Sequence, residues 1–219
     1  MIMEIDIKRV FSKIFLWMFI GLAITFGIAY YVSTNDNMVH NLFFRSYYWI
    51  IWIVELVVVI FLSARIYKLN PIVAKALFIL YSALTGLTFS SIFIIYDLGS
   101  IVYTFGITSG LFLVFGLVGY FTKLDLSKLG IYLVMAIFGV IIASIVNIFI
   151  GSETFSLGLC ILGIIIFLAY IAYDINMIKR NLIGIDNEDN MVIYGALQLY
   201  LDFINLFIRL LRFFGKGKD

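Results

Sequence analysis

The sequence predicts an all-α integral membrane protein, a single transmembrane domain over residues 1–219 with seven membrane-crossing helices. Three observations predict it. Of the 219 residues, 64% are hydrophobic and only 13% charged, and mean hydropathy is +1.13; a water-soluble domain of this composition lacks the polar surface to cover itself. Apolar runs of roughly 20 residues, enough to cross about 30 Å of hydrocarbon, recur along the chain. Connections between them are short and carry no alternating ten-residue pattern, so the spans read as helices and not as barrel strands.

The spans are expected at about 14–32, 47–67, 72–95, 100–121, 129–150, 157–178 and 191–213. "STNDNMVHN" reads as the loop after the first span, "DLGS" after the third, "KLDLS" after the fourth and "GSET" after the fifth, and turns this tight make sequential helices antiparallel neighbours. The longest polar connection, "KRNLIGIDNEDN", gathers Asp186, Glu188 and Asp189 before the last span; its spacing does not fit an EF-hand, and it reads as a solvated loop. Gly106 and Gly110, Gly116 and Gly119, and Gly158 and Gly163 read as points of close helix approach. The first span is too long, and too closely preceded by charge, to be a cleaved signal.

A net charge of +2 gives no basis for nucleic-acid binding. The basic residues report orientation instead. With the N-terminus cytoplasmic, Lys8, Arg9, Lys13, Arg65, Lys68, Lys75, Lys123, Lys128, Lys179 and Arg180 fall on the inner side, and a full seventh crossing leaves Arg45, Arg209, Arg212, Lys216 and Lys218 outside. Cys160, alone in the sixth span, reads as core filling, and His40 as a solvated loop residue.

The chemistry lies in polar residues that lipid does not tolerate. On a wheel at 100° per residue, Tyr194, Gln198, Asp202, Asn205, Arg209 and Arg212 of the last span share an arc of about 80°. Such a stripe is expected to face protein or water, which places this helix centrally in the bundle with the stripe turned inward. Asp174 lies late in the sixth span with Tyr170 one turn earlier on its face, and Glu55 near the middle of the second. Arg65 stands about 15 Å along the helix from Glu55 and about 80° around it, so these two cannot pair. Antiparallel neighbours 8–10 Å apart can bring Asp174 and Asp202 into contact. Two acids in contact away from water do not both stay charged; they share a proton and titrate as a unit. The competing reading of each acid is structural, a carboxyl satisfied by a neighbouring Tyr, Asn or Arg that keeps helices in register. For Asn147, Thr85, Thr88, Ser90 and Ser91 the structural reading stands: small polar groups bonded to a neighbouring helix or their own backbone. No zinc-protease motif, Cys/His pair, aspartyl-protease motif pair or Gly-rich phosphate loop is present, so an enzyme is not expected.

Three stretches together resemble the Bax inhibitor (transmembrane Bax inhibitor motif) family: "FSKIFLWMFIGLAITFGIAYYV", "AYDINMIK" and "YGALQLYLDFINLFIRLLRFFG". The short N-terminus is similar to the prokaryotic branch, which implies a multi-pass protein of the plasma membrane. The resemblance implies six helices wrapped around the C-terminal one and a pH-sensitive calcium leak. It implies that Asp174 and Asp202 are the proton-sensing pair, that Arg65 exchanges into that pair, and that Glu55 is the acid of the second helix. The expected ion path uses Glu55, Asp202, Asn205 and Gln198, with Asp174 and Asp202 as oxygen ligands for passing Ca²⁺. No cofactor is expected beyond the permeant ion; the partners are the lipid bilayer, Ca²⁺ and protons. One alternative is a non-conducting regulator of another membrane protein, such as a protease. Another is a proton-coupled cation transporter.

Overall fold

The computed structural model describes residues 7–44, 47–182 and 188–218. Arg45 and Asp186 lie outside them. The helices are α1 (Ile7–Ser33), α2 (Asp36–Phe44), α3 (Tyr47–Arg65, continued by a single 3₁₀ turn, Ile66–Lys68), α4 (Pro71–Ile95), α5 (Leu98–Phe121), α6 (Leu129–Ile150), α7 (Glu153–Asn181) and α8 (Glu188–Phe214). Seven of them, all but α2, are long and apolar enough to cross a membrane. The chain is an all-α, multi-pass membrane protein.

The expected spans and the helices differ at their ends for a physical reason. α1 starts at Ile7, and α7 and α8 extend several residues beyond their apolar runs, because a helix continues into the headgroup layer where Lys, Arg and Glu are solvated. The segment after α1 is not the loop its polar letters suggest. α2 forms there, with the Asn35 side chain accepting from the Met38 amide at 3.2 Å and Asp36 in the first turn, a favourable place for an acid.

The described residues divide into two compact units, and α8 contributes to both. The first comprises Met1–Asp97, Leu182–Tyr200 and Gly217–Asp219. Here α1 packs on α4 and α3 on α4. Val10, Phe11, Ile14, Met18, Gly21, Leu22, Thr25, Ala29 and Val32 of α1 recur every three or four residues and form its buried face. Two glycines let α1 and α4 approach: a Cβ on Gly21 would stand 2.7 Å from the Phe78 ring, and one on Gly86 would stand 2.9 Å from the Thr25 carbonyl. α4 begins sharply because Asn70 caps the Ile72 amide at 2.9 Å and Pro71, with no amide hydrogen to lose, takes the first helical position. Ion pairs fasten the start of α8, Glu188 to Arg9 (3.1 Å) and Lys13 (2.7 Å) and Asp189 to Lys75 (3.4 Å).

The second unit comprises Leu98–Asn181 and Leu201–Lys216, with α5 and α6 both packed on α7. Gly116 and Gly119 of α5 sit against Ile175 and Ala172 of α7. Gly163 faces the Arg209 guanidinium, whereas Gly106, Gly110 and Gly158 have no atom within 4 Å of an added Cβ; the expected close approach occurs at three of these six glycines. Phe203 of α8 stacks between Phe105 (5.3 Å) and Phe112 (5.8 Å) of α5.

Candidate functional site: an aspartate pair on α7 and α8

Asp174 stands on the buried face of α7 with Ile171, Ala172, Ile175 and Asn176. Asp202 stands on α8 between the buried Tyr200 and Phe203. Their exposures are 7% and 4%, and a side-chain hydrogen bond joins the two carboxyl groups. An ionised carboxylate only accepts, so this bond needs a proton on one of the acids. Oδ2 of Asp202 is buried with no hydrogen-bond partner. Tyr170 lies within electrostatic reach of both acids and Tyr173 of Asp174. The arrangement can hold one proton between two oxygens away from water; losing it leaves two adjacent negative charges that repel unless a cation arrives.

The rest of the α7–α8 seam is polar as well. The Asn205 amide donates to the Leu201 carbonyl at 2.8 Å, which uses it within its own helix. The Arg209 guanidinium lies over the Phe167 ring, 5.3 Å from its centroid, and the Cys160 thiol donates to the Arg209 carbonyl at 3.1 Å. Arg212 donates to the Ser156 hydroxyl. Toward the other end of α7, Lys179 donates to the Tyr120 carbonyl at 2.7 Å and stands 4.8 Å from that residue's ring, while Arg180 donates to Asn176 and to the Leu124 carbonyl.

The stripe on α8 is not turned inward as a whole. Tyr194, Gln198, Asn205 and Arg209 are half-buried and Arg212 is exposed, while Met191, Ile193, Ala196, Leu197, Leu199, Leu206 and Phe207 are fully enclosed. The apolar majority of the helix gains most by packing, and the long polar groups keep some access; Asp202 is the stripe's one acid and is buried.

Of the other predicted residues, all but Asn147 belong to the first unit. Glu55 accepts from the Thr85 hydroxyl at 2.8 Å. Arg65 is exposed at the end of α3, and Gln198 is half-buried on α8. Thr88, Ser90 and Ser91 return their hydroxyls to their own helix, and Asn147 reaches the Ser152 carbonyl. Among the described residues no group of three or more His, Cys, Asp or Glu side chains gathers at one point.

A buried network in the same unit escaped sequence reasoning. The Tyr200 hydroxyl lies 2.6 Å from that of Thr25, which donates to the Ser82 carbonyl at 2.9 Å, so side-chain bonds run from α4 through α1 to α8. Tyr200 sits about 200° around the helix from Gln198, opposite the polar stripe, and Thr25 sits in an apolar run; only the burial of a phenol in lipid could have signalled the pair.

Comparison with known proteins gives one consistent result. The family model described as inhibitor of apoptosis-promoting Bax1 matches residues 7–219. A protein of Borreliella burgdorferi is 44% identical over 222 residues, covering 99% of this chain and 96% of its own. The inner membrane protein YbhL of Escherichia coli is 43% identical over 213 residues, covering 94% and 91%. A membrane protein of Streptococcus pyogenes is 33% identical over 219 residues, covering 98% and 95%.

Proposed function

We propose, from the premise that this chain belongs to the Bax inhibitor family, that it is a pH-sensitive leak for cations, Ca²⁺ among them, gated by Asp174 and Asp202. The observation that carries the reading is the hydrogen bond between these two buried carboxyls. While one proton bridges them, α7 and α8 are tied together. When the proton leaves, repulsion loosens the tie, and the same two carboxylates become hard oxygen ligands suited to a passing divalent cation. Sensing and conduction then use the same oxygens. Arg65 and Glu55 are assigned supporting roles as the exchanging cation and an acid of the ion path, with Gln198 and Asn205 along the half-accessible stripe. The membrane is the bacterial inner membrane, as for the Escherichia coli relative, with the N-terminus cytoplasmic.

Reconstitution into liposomes holding a calcium dye tests the proposal. The expected result is an influx that rises with pH and loses that dependence in Asp174→Asn and Asp202→Asn. Unchanged pH dependence in both variants removes the pair from the gate. No flux at all from folded protein favours the non-conducting regulator, and stoichiometric counter-movement of protons favours the transporter.

A further inference from the structure

Among the described residues, two arginines at one end of the second unit lack a counter-charge. Arg209 and Arg212 stand one turn apart near the end of α8, and Lys216 follows four residues later. Neither arginine forms an ion pair with any described residue, and Glu153, the acid in the first turn of α7, engages neither. Their depth can be counted from the other end of the helix. Glu188 and Asp189 mark one membrane edge, where they meet Arg9, Lys13 and Lys75. From Glu188 to Arg209 the helix rises about 31 Å, and hydrocarbon is about 30 Å thick. Arg209 therefore lies at the opposite edge, with Arg212 one turn further out among the headgroups.

The side of α7 that meets these arginines carries mostly small residues. Ser156, Cys160, Gly163 and Phe167 repeat every three or four residues and share an arc of about 60°. A Cβ on Gly163 would occupy the space of the Arg209 guanidinium, which stands 5.3 Å from the centroid of the Phe167 ring. Arg212 donates to the Ser156 hydroxyl, and the two arginines lie within electrostatic reach of each other and of Cys160. Each guanidinium carries five N–H donors. Among the described residues Arg212 donates one hydrogen bond and Arg209 none. Arg209 is half-buried, and a cation at the edge of hydrocarbon is costly without an anion. The anion found at that depth is the lipid phosphate.

We propose that Arg209, Arg212 and Ser156 form a binding site for the phosphate of an anionic phospholipid, whose headgroup lies across the α7–α8 seam. The guanidinium fork presents paired N–H groups at the spacing of phosphate oxygens, which a lysine does not. The missing side chain at Gly163 leaves Arg209 room to stand within reach of Arg212. Leu157 and Ile161 of α7 and Ile208 of α8 are exposed and offer apolar surface to the acyl chains. The lipid neutralises cations that the fold leaves unpaired, and the site stands whether or not the aspartates gate a flux.

Native mass spectrometry of the whole chain in a neutral detergent, titrated with phosphatidylglycerol or with phosphatidylcholine, tests the proposal. The expected result is one phosphatidylglycerol bound about tenfold or more tightly than phosphatidylcholine. Arg212→Gln and Arg209→Gln are each expected to weaken that binding about tenfold or more, with Arg212→Lys and Arg209→Lys restoring part of it. Arg212 is exposed, so its variants read the site even where Arg209→Gln fails to fold. Lys123→Gln, in the loop between α5 and α6 at the other end of the unit, is expected to leave binding unchanged. The proposal is overturned if the two lipids bind alike, if Arg212→Gln binds like wild type, or if Lys123→Gln loses as much as Arg212→Gln. Inorganic phosphate offers the same chemistry from a soluble source, and its displacing the bound lipid at equal concentration overturns the lipid as occupant.

Discussion

The Tyr200 hydroxyl donates to the Thr25 hydroxyl across 2.6 Å, because Thr25 has one proton and spends it on the Ser82 carbonyl. The two side chains are fully buried. Thr25→Val strips the phenol of its acceptor and is expected to destabilise by about 1–3 kcal/mol. Tyr200→Phe leaves Thr25 still bonded to Ser82 and is expected to cost less at this bond, about 0.5–1.5 kcal/mol. Unfolding in mixed micelles measures both, with Thr25→Ser as the control that keeps the hydroxyl. A larger loss in Tyr200→Phe than in Thr25→Val reverses the donor assignment.

Gly119 and Gly110 make opposite predictions on one helix. A Cβ on Gly119 would stand 2.8 Å from the Cα of Ala172 in the backbone of α7, whereas one on Gly110 meets nothing within 4 Å. Gly119→Ala should cost about 1–3 kcal/mol by wedging α5 from α7. Gly110→Ala should be neutral or stabilising by up to about 1 kcal/mol, as alanine is the better helix former. Thermal stability in one detergent decides between them.

Glu188 holds both Arg9 and Lys13, but the side chains keep 32%, 63% and 40% of their exposure. Solvent screens such pairs, so Glu188→Gln should cost no more than about 1 kcal/mol at low salt. The difference should fade toward 1 M salt, where the screening length is about 3 Å. Persistence of the full effect at high salt would mean that packing, not charge, carries it.

Asp125, in the loop between α5 and α6, is kept below the ordinary carboxylate range by the Ser127 amide, which donates to it at 3.0 Å, with Arg180 a further contributor. A lowered folded-state value means its contribution is present above the unfolded value and lost as pH falls through the folded one. Amide exchange at Ser127, corrected for intrinsic rate, should therefore lose protection in acid, below about pH 4. Asp125→Asn should flatten that acid-side loss. A profile identical in wild type and variant would dissociate the turn from the carboxylate.

Much of the fold was legible because hydrocarbon is a demanding solvent: seven apolar runs leave little choice but seven helices. Helix ends were less legible, since hydropathy measures the thickness of lipid and α7 continues past it to Asn181. α2 was hidden because a capped nine-residue helix and a polar loop share the same letters. At the site, the wheel collected the residues of α8 onto one arc but could not say how far that arc is covered, and in the folded chain Asn205 and Arg209 are half-buried beside a buried Asp202. Glycine spacing failed similarly, as Gly106 and Gly110 are separated like a packing motif yet face open space. Spacing fixes which residues share a side and says nothing about who stands opposite.

Gly151 ends α6 with a left-handed backbone, φ +69°, and Glu153 already begins α7. Two linking residues are too few for one arm to enter the bilayer while the other waits outside. α6 and α7 therefore form one tight hairpin, and the helix that carries Asp174 takes its direction across the membrane from α6.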